Sequence, residues 1–453
     1  MEYLVWGLSS PWAPLIGAVI FSVSTYDLLR LIIRGSLSDS EFIPRLVVSI
    51  TGFYFGYRAY PDSYRKRLAA RLVVKERDRQ LVHQTEYDPD LKLNKLCLDG
   101  DVYGISSEVD VALRSAAETD LIVEIGAPFQ LPRSVHQYRV LLLKANTNAS
   151  EVLFNGKKVR LESDLLGAPL PTQVRLSRTS FFASRCTNNS VLKIIEDTRS
   201  KTSTPVFDGW KSLVESGGHI RSLESNDMSN EIGVSTLAFT SDGDLLLIKQ
   251  GPQNHRNSGN LVPSGSGSLD WKDVIRAGPS PTLIDVVVHG SERELREECG
   301  VPDHVVVQSH ILGFFRDSAR GGKPEFLSIS KIECTVRELR DVRSTEGGYT
   351  SHREDLHFGG LSTAIDDDAA LRKLRTFLID HVLDAEFVQN NQTSPQLSYQ
   401  LSLLICSISG RHPVEFRGAD GVFEVNALQD LKSANVDVTN PISQFLLQHL
   451  RSR

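Results

Sequence analysis

Nine consecutive residues, Arg293-Glu294-Leu295-Arg296-Glu297-Glu298-Cys299-Gly300-Val301, constrain this chain more than any other stretch. Their spacing predicts the last turns of an α-helix. Positions 294, 297 and 298 stand three and four apart, so three carboxylates emerge on one helix face. Acids so placed repel one another unless a cation stands among them, and hard divalent ions such as Mg²⁺ take oxygen ligands of this kind. Arg293, four residues before Glu297, is placed to pair with it and fix its rotamer. Leu295 points toward a core. Gly300 suits the left-handed position that ends a helix, and Pro302 follows to stop it.

In order and identity these residues match the second half of the Nudix box, Arg-Glu-apolar-x-Glu-Glu-x-Gly-apolar, and through them the chain resembles that superfamily. The first half departs from the pattern. The box opens on a glycine fourteen residues before the arginine, where this chain has Pro279, and its first acid falls on the shorter Asp285. Gly290 and Ser291 fill positions where small residues pack the helix on a sheet. The family's Pro-x-Gly-Gly turn has its nearest counterpart in Pro263-Ser264-Gly265-Ser266-Gly267-Ser268-Leu269-Asp270-Trp271, displaced by an insertion.

The resemblance implies an α/β/α sandwich, Mg²⁺ or Mn²⁺ as cofactor, and a substrate in which a nucleoside diphosphate is linked to another group. Such a diphosphate is a poor electrophile, because its negative oxygens repel water; a bound divalent ion neutralises that charge and lowers the pKa of a coordinated water. Glu294, Glu297 and Glu298 are the expected metal ligands, one doubling as general base, with Arg293 orienting Glu297. Backbone amides around Gly265 and Gly267 are expected to meet phosphate, since no side chain obstructs them. Glu325 is a candidate extra carboxylate or an ordinary exposed residue. Arg316 and Lys323 are candidates for phosphate contact or ordinary structural cations. Cys299 is expected to be inert and His289 to pack.

Bulk composition sets the frame. The 453 residues are 40% hydrophobic and 23% charged, enough for two or three globular domains. A net charge of −6 with no long basic tract excludes a protein that coats duplex nucleic acid. Cys97, Cys186, Cys299, Cys334 and Cys406 are odd in number and scattered, which argues against a disulfide framework and for a reducing compartment.

The first sixty residues differ in kind. Residues 12–33 and 42–60 are apolar runs, each near the ~20 residues a helix needs to cross a bilayer. No lysine or arginine precedes Trp12, so the basic start of a signal peptide is missing. Arg58, Arg65, Lys66, Arg67, Arg71, Lys75 and Arg77 follow directly, and positive flanks stay cytoplasmic. The expectation is a two-helix transmembrane hairpin, multi-pass in the inner (cell) membrane, with the large C-terminal part in the cytoplasm. A helical hairpin buried in a soluble protein is the competing reading. Asp27 and Arg30 can pair on the first segment, and Gly52 and Gly56 form a small-xxx-small pattern that permits close helix association and hence a homo-oligomer.

Beyond a basic linker over 61–96, residues 97–228 read as an α/β extension. It holds a helix over 106–117 after a serine cap and strands over 120–125, 136–144 and 151–161, the last broken by Asn155-Gly156. Residues 229–450 read as the Nudix domain with a helical C-terminal extension. A hairpin pairs 233–239 with 244–250, the box helix covers 280–298, strands run over 305–315 and 325–334, and helices over 367–383, 395–408 and 441–450. The whole is an α/β chain, and its expected partners are a nucleotide and the membrane. Two readings of function follow. One is a membrane-anchored hydrolase. The other rests on a resemblance of layout alone: bacterial cyclic-oligonucleotide anti-phage (CBASS) systems include effectors with a transmembrane segment joined to a Nudix domain, in which the domain senses the nucleotide and the membrane part acts in antiviral defence.

Overall fold

The computed structural model describes residue 26 and residues 71–450, apart from 99, 117–119, 148–153, 166–168, 201–203, 252–258, 340–350, 358–365, 383–392 and 419–420. Apart from Tyr26, both expected membrane segments therefore lie outside the described residues, as do Asp27, Arg30, Gly52 and Gly56. Among the described residues no helix is long and apolar enough to cross a membrane.

The chain divides into two compact units, residues 1–75 with 194–207, and residues 76–193 with 208–453. In the smaller unit Arg71 forms an ion pair with Asp197, and Lys75 lies 2.6 Å from Glu196.

The larger unit is mixed α/β and is built on one nine-stranded sheet. Its strands are β1 (Asn94–Leu98), β2 (Asp101–Ile105), β6 (Gly233–Thr240), β7 (Asp244–Gln250), β8 (Leu261–Val262), β9 (Gly265–Ser268), β10 (Val307–Asp317), β11 (Lys323–Ile332) and β12 (Ser351–His357). The order is β8-β7-β6-β11-β10-β2-β1, with β9 paired to β6 and β12 to β7. A second, three-stranded sheet comprises β3 (Ile122–Ile125), β4 (Lys157–Leu161) and β5 (Gln173–Ser180), with β5 in the middle.

Both faces of the large sheet are covered. Helix α3 (Leu283–Cys299) lies on one face, where Val287 packs with Val234 and Phe326, and Leu295 and Cys299 with Ala238 and Ile332. Helices α4 (Asp367–Phe377), α5 (Pro395–Ile408) and α6 (Pro441–Leu450) share the opposite core with Leu237, Phe239 and Leu327. Residues of β6 thus alternate between two buried faces, which is why the whole strand is buried. In β10 a register shift between Ile311 and Gly313 breaks the period. Ile311 and Phe314 then join the α3 side, while Leu312 and Phe315 join the other.

The hairpin of β6 and β7 falls where the two apolar runs and the Ser241-Asp242-Gly243 turn place it, and helix α1 (Ser107–Arg114) starts on its Ser106 cap. The expectation of a strand over 136–144 is corrected: helices span Arg133–His136 and Arg139–Ala145. The run Val140-Leu141-Leu142-Leu143 has no alternation, and a short apolar run does not by itself distinguish strand from helix. The linker expected over 61–96 is also structured at its end, because β1 enters the large sheet with Leu96 and Leu98 buried.

The small sheet is stitched to the motif region. Val159 of β4 donates its N–H to Leu269 at 3.1 Å and accepts from Ile232 at 2.9 Å. Leu283, the first residue of α3, donates to the Leu121 carbonyl at 2.9 Å, so residues before β3 satisfy one of the helix's otherwise unbonded amides.

Candidate functional site

Helix α3 is pinned at both ends. At the start Thr282 Oγ1 accepts from the Asp285 N–H (3.1 Å), and the Asp285 carboxylate accepts from the Thr282 N–H (2.9 Å). This reciprocal cap assigns Asp285 to the helix terminus rather than to the site. At the end Gly300 takes φ +68°, the left-handed conformation that closes a helix without a Cβ clash.

Arg293 is the hub of the last turns. Its Nε lies 3.0 Å from Asp273 Oδ1 and its Nη2 3.0 Å from Asp273 Oδ2. Nη1 reaches Glu294 Oε1 at 2.7 Å and Glu297 Oε2 at 3.2 Å, and Nη2 also donates to the Ser268 carbonyl at 3.1 Å. Burial alone would lower the guanidinium pKa, but the Asp273 and Glu294 carboxylates outweigh it and raise it. The expected Arg293–Glu297 pair is present, joined by Glu294 of the motif and by Asp273 and the Ser268 carbonyl from outside it. Asp273 is wholly buried on α2 (Trp271–Arg276), where it also caps that helix by accepting from the Asp270 N–H at 2.8 Å.

The three glutamates occupy different environments. Glu294 is buried, and desolvation raises its pKa against the opposing pull of Arg293 and Lys158. Glu297 is half-exposed, with Lys272 at 3.6 Å as a second cation. Glu298 Oε2 accepts the backbone N–H of Ser266 at 2.9 Å. Among the described residues no three His, Cys, Asp or Glu side chains are gathered as a group that could hold a metal ion. Of the three glutamates expected to ligate a metal, Glu294 is bonded to Arg293 at 2.7 Å.

Gly265 and Gly267, whose neighbouring amides are expected to meet phosphate, lie in β9, paired with Thr236 and Val234 of β6 and laid against α3. A Cβ on Gly265 would stand 2.6 Å from the Leu295 backbone nitrogen, and one on Gly267 2.3 Å from the Glu294 carboxyl carbon. These glycines give clearance for the helix and for a carboxylate.

Three residues that sequence reasoning passed over, Lys158, Lys272 and Asp273, complete the face. Lys158 of β4 pairs with Asp270 at 2.8 Å, and Lys272 lies 3.2 Å from the same carboxylate. Asp273 was legible as the third residue after the Asp270 cap. Lys158 gave no signal, because its ion-pair partner Asp270 lies 112 residues away in sequence. Arg316 is buried among Asp164 and the carbonyls of Gly322 and Arg221. Lys323 is buried against Glu325 at 2.7 Å, and Glu325 also pairs with Arg320. All three are internal structural ions, so Glu325 is not the exposed residue of one reading, and Arg316 and Lys323 do not present charge to solvent.

The donor set still suits a hard cation in kind. Asp270, Asp273, Glu294, Glu297 and Glu298 are five carboxylates against the three cations Lys158, Lys272 and Arg293. An anionic ligand meets net repulsion there unless positive charge accompanies it. Mg²⁺ is commonly held by one or two carboxylates together with waters and the substrate's phosphates, so Glu297 and Glu298 suffice without a preformed cage.

No protein-family model and no curated protein matches the chain. Among solved structures, the DR0079 protein of Deinococcus radiodurans is 15% identical over 32% of this chain and 82% of that one, with a TM-score of 0.20. The MutT protein of Methanosarcina mazei Go1 is 17% identical over 28% of this chain and 77% of that one, with a TM-score of 0.19. Likenesses of this degree fix neither the family nor the activity of this chain.

Proposed function

We propose that the chain is a Nudix-type phosphoanhydride hydrolase acting on a nucleoside-diphosphate-linked substrate, tethered to the inner membrane by its N-terminal segments. The observation that carries this reading is the placement of Glu297 and Glu298 on the last turns of α3, with the Ser266 amide fixing the Glu298 carboxylate and Arg293 fixing Glu297. Glu298 takes the proton of the attacking water. The water oxygen bonds to phosphorus, the bridging P–O bond breaks, and the leaving phosphate carries away the electron pair. Glu297 and Glu298 would hold Mg²⁺ or Mn²⁺, which when bound neutralises phosphate charge. Glu294 acts through Arg293, holding the guanidinium in place.

The test is turnover by the purified protein of a panel of nucleotide diphosphate conjugates with Mg²⁺, with products identified by mass spectrometry. Diphosphate cleavage that requires Mg²⁺ is the expected result. One observation favours a second reading, a sensor that binds without cleaving: Arg293 takes up Glu294, one of the three box acids. Binding of a cyclic oligonucleotide that is recovered intact would replace the first reading with a sensor, and loss of the cellular effect without loss of binding on deleting residues 1–60 would make that sensor a CBASS-type effector.

A further inference from the structure

We infer that Lys158, carried by the three-stranded sheet outside the box fold, is a phosphate-contacting residue of this site. The inference rests on the hydrolase reading and adds to it a residue, and a segment of chain, that the motif does not include. The geometry that supports it begins with the backbone. β4 is bound on one edge to β5, and on the other its residues Lys158 and Arg160 form bridges to Asp270 and Glu231. Lys158 is thereby held at the junction of β9 and α2, next to the carbonyl of Ser268 that Arg293 also uses.

Its surroundings are acidic beyond what one ion pair needs. Asp270 already has Lys272 at 3.2 Å, yet Lys158 stands 2.8 Å from the same carboxylate with its side chain only 16% exposed. Burial by itself would lower the ammonium pKa, but Asp270, Glu231 and Glu294 overcome it, so the group stays charged. Glu231 marks the same neighbourhood as unfinished. Its Oε1 accepts from Ser268 Oγ at 3.3 Å, while its Oε2 is buried without a hydrogen-bond partner, an atom that a donor on a ligand would satisfy. A compact ammonium with three donors can turn from Asp270 to a phosphate oxygen, leaving Lys272 to hold the aspartate.

The experiment uses the full chain and inorganic pyrophosphate with Mg²⁺ as probe, followed by calorimetry, together with kinetics on whichever diphosphate the panel identifies. Lys158→Met is expected to weaken pyrophosphate binding and raise KM by about 10- to 100-fold, the weight of a lost charge-assisted hydrogen bond. Lys158→Gln keeps a donor for Asp270, guards against loss of folding, and is expected to show the same defect. Lys158→Arg should restore binding to within about 3-fold while Lys157→Met, on the exposed neighbour, changes nothing. Equal binding by Lys158→Met and wild type overturns the inference alone. So does a Lys158→Arg defect as deep as that of Lys158→Met with an equal fall in thermal midpoint, which would mark a structural ion pair. A wild type that neither binds pyrophosphate nor cleaves any diphosphate overturns the hydrolase reading and this inference with it.

Discussion

Arg293 Nη2 lies 3.0 Å from Oδ2 of Asp273, a carboxylate twenty residues earlier that is wholly buried at the start of α2. This pair, not the Arg293–Glu297 pair within the motif, anchors the guanidinium. It makes the helix–helix junction of α2 and α3 part of the site's architecture.

Asp273→Ala should therefore destabilise the larger unit by about 3–5 kcal/mol, because it leaves a buried guanidinium without its main counter-charge and removes a helix cap. Urea unfolding followed by circular dichroism measures it. A change below about 1 kcal/mol would show that Glu294 and Glu297 alone suffice to hold Arg293.

Gly265 and Gly267 separate two roles. A phosphate-binding loop loses ligand affinity on substitution and keeps its stability. A spacer strand does the reverse. Gly265→Ala drives a Cβ to 2.6 Å from the backbone of α3, which cannot yield as a side chain can, so a loss of about 1–3 kcal/mol is expected. Gly267→Ala meets the Glu294 carboxylate instead and is expected to cost less stability while displacing that side chain. Thermal unfolding of the two variants decides the order. Unchanged midpoints with lost nucleotide binding would restore the loop reading.

The sequence patterns that proved legible are local ones. Two apolar runs joined by a Ser-Asp-Gly turn located β6 and β7, and the spacing of acids and a terminal glycine located α3. What the motif could not convey is which acid each cation selects. Arg293 has two acids within reach on its own helix, and a third arrives only through the tertiary packing of α2. Lys158 reaches Asp270 across 112 residues, a distance over which no periodicity carries information. The glycine-rich stretch is ambiguous for a physical reason. Absence of side chains serves close approach of a helix as well as close approach of a phosphate, and only packing distinguishes them.

His310 supplies a pH dependence remote from the acids. It is partly buried on β10 beside Phe445, with ring centroids 5.7 Å apart. Burial lowers its pKa below the ordinary histidine value, against the opposing effect of a backbone hydrogen bond at Arg114. The unfolded chain then takes up a proton that the folded one refuses. The associated stability is present above about pH 6.5, the unfolded value, and is lost as pH falls through the lower folded value. Between pH 7 and 5, wild type should lose stability relative to His310→Phe, with a slope no steeper than about 1.4 kcal/mol per pH unit for the single proton. Parallel stability–pH curves for the two proteins would refute the assignment.

The glutamates should not be equivalent. Glu298→Gln keeps an oxygen that can accept the Ser266 N–H, so the thermal midpoint is expected to move by less than about 2 °C. It removes the proton acceptor, and turnover should fall by about 10²–10⁴-fold. Glu294→Gln alters a buried partner of Arg293 rather than a group facing substrate, so its effect on turnover should be smaller and its effect on stability larger. A three-carboxylate chelate predicts the opposite pattern, with all three variants losing Mg²⁺ affinity alike. Calorimetric titration of Mg²⁺ into Glu294→Gln, Glu297→Gln and Glu298→Gln, set beside kcat for each, distinguishes the two. If Glu294→Gln loses metal as completely as Glu298→Gln, Arg293 must release Glu294 on metal binding, and the division of roles drawn from this geometry fails.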